Sequence, residues 1–101
     1  MKTQIEQIVE AISEAISPRK IFLFGSRAHG DHDMDSDIDL LIVHDGPETK
    51  LEIKRKIHRL FSAHDFSLDV FVLTSNEVES TKRVANTLAR TVSETGIVCY
   101  G

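Results

Sequence analysis

This chain has one cysteine, Cys99, and no apolar run near the roughly 20 residues that a membrane-spanning helix needs. A lone thiol excludes an internal disulfide and any CxxC metal cluster, and it fits a reducing compartment. The N-terminus carries no apolar signal-peptide segment, so the expected location is cytoplasmic, with no membrane contact. Basic charge is also short: 12 Lys and Arg stand against 16 Asp and Glu, a formal net charge of −4. Nonspecific nucleic-acid binders are usually basic, so direct nucleic-acid binding is not expected. Repeats and low-complexity linkers are missing. At 101 residues the expectation is a single domain, residues 1–101, with one core and no second substrate-binding lobe.

What is present alternates between helix and strand patterns. Thr3 and Glu6 have capping-box spacing, and Ile5, Ile8, Val9, Ile12, Ala15 and Ile16 recur at helical intervals until Pro18. Ile21 to Phe24 is an apolar run ending at Gly25, as in a buried strand entering a tight turn. Residues 26–30 suit a short helix or turn, and 37–43 a second strand closed by Asp45, Gly46 and Pro47. Leu51, Ile53, Ile57, Leu60, Phe61 and His64 mark an amphipathic helix. Residues 67–73 read as a third strand, and Thr74 with Glu77 repeats the capping-box spacing. Val84, Leu88 and Val92 predict the buried stripe of the last helix, with Gly96 as its C-terminal cap and 97–100 as an edge strand. The pattern is that of a small α/β sheet covered by helices.

The chemistry concentrates in Phe24 to Leu41, which reads F-G-S-R-A-H-G-D-H-D-M-D-S-D-I-D-L-L. Residues two apart in a strand share a face, so Asp37 and Asp39 project together while Ile38 and Leu40 enter the core. Paired carboxylates repel and favour a cation. Hard oxygen ligands suit Mg²⁺ or Mn²⁺, and Mg²⁺ is usually held by one or two carboxylates plus substrate phosphates. Asp69, inside Leu68-Asp69-Val70-Phe71, is a third acid in an apolar strand. If that strand neighbours the second, Asp69 completes a triad able to hold metal and to accept a proton from an attacking hydroxyl. Taken singly, each acid also fits a solvated strand end.

Gly25 permits a tight turn that aims backbone N–H groups at an anion. The Ser26 hydroxyl and the following amides then suit a triphosphate, and Arg27 can add charge-assisted hydrogen bonds. Without the aspartates, the same residues describe an ordinary turn. Three rival motifs fail. Gly25 to Gly30 has P-loop glycine spacing, but Asp31 and His32 replace the required Lys and Ser or Thr. The acids at 31, 33, 35, 37 and 39 alternate like a calcium loop, yet Ser36 and Ile42 stand where glycine and a bidentate glutamate belong. Ser26 lies in F-G-S-R-A rather than G-x-S-x-G. His29 and His32 lie near the site, and His44, His58 and His64 form no pattern.

Phe24-Gly25-Ser26, ten residues, then Asp37-Ile38-Asp39-Leu40 resembles the signature of the DNA polymerase β-type nucleotidyltransferases. G-S-R-A-H-G-D with S-D-I-D-L resembles the minimal nucleotidyltransferase family in particular, with His29 where members commonly carry Arg. The resemblance implies the nucleotidyltransferase fold, α/β (α+β), a small mixed β-sheet flanked by helices. It implies transfer of AMP from ATP to a hydroxyl, with Asp37, Asp39 and Asp69 as catalytic and metal-binding acids. Gly25 and Ser26 would hold the triphosphate, beside Arg27. Members this small often serve as antitoxins that attach AMP to a HEPN-domain ribonuclease toxin. Single-domain size agrees with an acceptor supplied by a partner. Two alternatives stand beside this reading: a non-catalytic module neutralising its partner by contact, and a small-molecule nucleotidyltransferase.

Overall fold

The computed structural model describes residues 2–29, 37–62 and 66–101, and for Ser26 and His29 the backbone alone. The acids at 31, 33 and 35, together with Gly30, His32, Ser36 and His64, lie outside the described residues.

Helix α1, Gln4–Ile16, begins where the Thr3 hydroxyl accepts the Glu6 N–H at 3.1 Å. Its Ile8, Val9, Ile12 and Ile16 are buried, as the periodicity predicts. Ser17 closes it in a left-handed conformation, φ 55, and Pro18 has no N–H with which to continue. Strand β1, Lys20–Phe24, leads through Gly25 into the four-residue helix α2, Ser26–His29. Strand β2 is Ile38–Val43, so Asp37 stands one residue before it. Helix α3, Lys50–Leu60, starts at a complete capping box between Thr49 and Glu52 that the sequence reading did not single out. Its Ile53 and Ile57 are buried, whereas Leu51 and Leu60 face solvent.

Strand β3, Leu68–Leu73, runs parallel to β2, and strand β4, Ile97–Tyr100, pairs antiparallel with β1. β1 and β2 are antiparallel, giving one mixed four-stranded sheet in the order β3-β2-β1-β4. The expected fold class and edge strand are both present. α1 and α3 cover one face, where Ile21, Leu23, Ile38, Leu40, Ile42, Val70 and Val72 form the main core. A smaller core on the opposite face contains Phe24, Leu41, Val43 and Val92. β2 is thus sandwiched: each of its residues is buried except Asp39.

The expected last helix is corrected. Two helices replace it, α4, Ser75–Thr81, and α5, Leu88–Thr95. Asn86 adopts a left-handed conformation, φ 67, that ends helical continuity. The Thr87 hydroxyl accepts the Arg90 N–H, which starts α5 afresh, and donates to the Thr81 and Val84 carbonyls. Val84 falls in this break and is 52% exposed rather than part of a buried stripe. Gly96 occupies the C-cap position with extended backbone, φ −80. A side chain there would meet the Val92 carbonyl at 2.6 Å, so close approach selects glycine.

Candidate functional site

Pairing between β1 and β2 sets Phe24 opposite Asp39, which brings the next residue, Gly25, against that carboxylate. Gly25 has φ +76, which favours glycine. A Cβ at this position would lie 2.3 Å from Asp39 Oδ2. The glycine is therefore required twice, by backbone conformation and by proximity. The two halves of the motif, separated in sequence by the segment from 27 to 36, touch in space.

The parallel pairing of β2 with β3 places Asp39 directly opposite Asp69. Directly paired residues share a face, so the two carboxylates stand side by side. Partial burial raises the Asp39 pKa above its ordinary 3.8, and the charges of Asp69 and Asp37 push it further in the same direction. Asp37 is exposed, yet near enough for its charge to act on Asp39. One side of the pair is walled by aromatics: the rings of Phe24 and Phe71 lie 5.6 Å apart, tilted by 57°. Phe24 is buried, whereas Phe71 is 38% exposed beside the acids.

Gly25, Asp39 and Asp69 are thus gathered at one end of the sheet, with Asp37 at its margin. The Ser26 backbone opens α2, and the Ala28 N–H bonds the Gly25 carbonyl at 3.1 Å. Arg27 is half-buried in the same helix. Among the described residues, no group of three Asp, Glu, His or Cys side chains already surrounds a metal position. The chemistry of the donors nevertheless fits a hard divalent cation. A pair of carboxylates whose charges repel could supply the one or two ligands that Mg²⁺ usually takes from protein, the rest coming from phosphates and water. The same pair can instead hold a proton.

The aromatic wall and the Gly25–Asp39 contact were not anticipated. Both depend on strand register, and only the Asp-x-Phe spacing from 69 to 71, which puts the two side chains on one face, hinted at the first. Outside the site, His44 is 8% exposed; its Nε2 has no hydrogen-bond partner among the described residues, with Glu48 Oε1 3.5 Å away. His58 is exposed on the last turn of α3. No helix among the described residues is long and apolar enough to cross a membrane.

The profile of the nucleotidyltransferase domain family matches residues 5–93. Among solved structures, a toxin–antitoxin complex with AMP-PNP has a TM-score of 0.69 at 23% identity, over 95% of this chain and 73% of that one. A variant of the toxin–antitoxin MntA-HpeT has a TM-score of 0.70 at 22% identity, over 99% and 74%. A proposed nucleotidyltransferase from Sulfolobus solfataricus has a TM-score of 0.59 at 25% identity, over 93% and 74%. No match is found among curated proteins.

Proposed function

The chain belongs to the nucleotidyltransferase domain family, and from that premise we propose that it transfers AMP from ATP to a hydroxyl of a partner protein. The observation that carries this reading is the register that sets Asp39 against Asp69, with Gly25 touching Asp39. The Asp39 pKa is raised by burial and by its acidic neighbours, a charge balance that the cation of a nucleotide–metal complex would relieve. In this assignment Asp37, Asp39 and Asp69 would hold Mg²⁺ or Mn²⁺, while Gly25, Ser26 and Arg27 would hold the triphosphate. A bound divalent ion would neutralise charge on the phosphate oxygens.

The acceptor oxygen attacks the α-phosphorus of ATP. The bond from that phosphorus to the oxygen bridging toward the β-phosphate breaks, and pyrophosphate departs with the bonding pair. Asp69, exposed beside Asp39, takes the hydroxyl proton. Gly25 keeps the turn close enough to the acids for phosphate and carboxylates to meet. The fold shared with toxin–antitoxin complexes, one of them with AMP-PNP, supports an antitoxin role. On this reading the acceptor is a HEPN-domain ribonuclease toxin.

The test is transfer of label from α-phosphate-labelled ATP in a host lysate, beside a folded Asp37→Asn/Asp39→Asn variant. A labelled protein band made only by wild type is expected, and equal labelling by both would overturn the assignment. A variant that transfers nothing yet still silences its partner would replace catalysis with neutralisation by contact.

A further inference from the structure

A cleft of about 610 Å³ lies on the same sheet face as the acids but toward the opposite end, between α4 and α5. Its wall is apolar: Phe22 and Leu41 lie opposite one another on β1 and β2, and Val78 and Val92 close the sides. Its rim has the opposite charge balance to the chain as a whole. Arg19, Lys20 and Lys82 stand there against Glu79, on a protein of net charge −4. Lys82 pairs with Glu79 at 2.9 Å, and Arg19 with Asp45 at 3.1 Å. Lys20 makes no ion pair among the described residues. Val78 of α4 packs against the smaller core yet is only partly buried, so this side of the helix is left partly open as one wall of the groove.

We infer that this cleft is the docking groove for the acceptor, an acidic segment of the partner protein with one large apolar anchor. Charge complementarity selects an acidic chain, and the apolar wall selects the anchor. The register fixes the spacing. Leu41 and Val43 follow Asp39 by two and four residues along β2, which is about 7 and 13 Å at the usual rise per residue. An anchor seated over them therefore stands two to four extended residues from a hydroxyl placed at the acid pair. Phe71, exposed between the two regions, offers an apolar shelf for the intervening chain. The inference rests on the transferase reading and adds the chemistry of its acceptor.

The test uses a fluorescein-labelled peptide of glutamates containing one leucine and one tyrosine three positions apart. Its binding to the full chain is followed by anisotropy, with ATP binding measured in parallel. Wild type is expected to bind it in a salt-sensitive manner, and to ignore a peptide with lysines in place of glutamates. Lys20→Glu/Lys82→Glu, with unchanged circular dichroism, is expected to bind it at least about tenfold more weakly while still binding ATP. Asp39→Asn should bind the peptide undiminished. Failure of wild type to bind the acidic peptide while it binds ATP would overturn the docking groove alone. Equal binding by wild type and the charge-reversed variant would also overturn it. Peptide binding without ATP binding would instead count against the transferase reading.

Discussion

Two aspartates bracket the same buried strand and are treated in opposite ways. Asp39 enters β2 opposite another acid, and burial with like charge raises its pKa. Asp45 follows the strand two residues beyond its other end, where Ser75 donates its N–H at 2.8 Å and its hydroxyl at 2.6 Å. Those hydrogen bonds, aided by Arg19, lower the Asp45 pKa. The end with Asp45 is structural: it ties β2 to the start of α4 and satisfies its charge. The end with Asp39 concentrates negative charge, with Asp69 and Asp37 both acting on one carboxylate. Such a concentration favours a ligand, and its distance from the clamped end lets the fold tolerate it.

The comparison is broken most severely by removing charge at the strained end. On the proposed transferase assignment, Asp39→Asn is expected to lower AMP transfer by about a hundredfold or more, since losing a cation ligand would remove several kcal/mol of transition-state stabilisation. Asp69→Asn should fall in the same range, whereas Asp45→Asn should leave transfer rates within about twofold of wild type at temperatures where both are folded. Steady-state label transfer to the partner checks all three. Comparable losses at Asp39 and Asp45 would abolish the distinction between the two ends.

Next comes Gly25→Ala. An alanine must adopt the left-handed conformation at about 1–2 kcal/mol, and its methyl group would displace the Asp39 carboxylate, which lies 2.3 Å from the Cβ position. The expected result is a protein destabilised by at least that amount in urea and inactive in transfer. Gly46→Ala, at the clamped end, would crowd His44 Nε2 at 2.6 Å without touching the acids, and should retain transfer.

These contrasts show what was legible in the sequence. Apolar runs found β1, β2 and β3 within a residue of their observed bounds, because burial on one or both faces leaves a short, dense pattern. Helix starts at Thr3 and Thr74 were legible because capping is local. The break between α4 and α5 was not. Val84 fits a helical stripe with Leu88 and Val92, while the left-handed Asn86 and the Thr87 cap decide the outcome. At the site, Asp39 could be identified from its strand, and Asp69 only on condition that two strands were neighbours. The contact of Gly25 with Asp39 and the Phe24–Phe71 wall arise from pairing across long stretches of chain, which no local pattern encodes.

Stability as a function of pH sharpens the comparison at smaller scale. The lowered pKa of Asp45 means that its contribution is present above its ordinary 3.8 and is lost as pH falls through its lower folded value. Asp45→Ala should therefore lower the melting temperature at neutral pH and lose that deficit at strongly acidic pH. Asp45→Asn should lie between alanine and wild type, because an amide oxygen can still accept the Ser75 N–H. Thermal melts across acidic pH measure this directly. A deficit independent of pH would assign the clamp to packing rather than charge.

The smallest effect is the one with the opposite sign. Because the folded pKa of Asp39 is raised, its contribution is fully favourable below 3.8 and is lost as pH rises through its folded value. At neutral pH, without nucleotide or metal, the charged Asp39 carboxylate therefore opposes folding. Asp39→Asn removes one charge of that pair and keeps its shape and hydrogen-bonding capacity. It should stabilise the chain at neutral pH by less than about 1 kcal/mol, the scale of exposed charge pairs, and lose that advantage in acid. Urea unfolding at the two pH values reads the difference. A variant less stable than wild type at neutral pH would mean that Asp39 is held by favourable contacts, like Asp45, and that the two ends of β2 are alike. A variant more stable but inactive would place catalysis and folding in opposition at a single carboxylate.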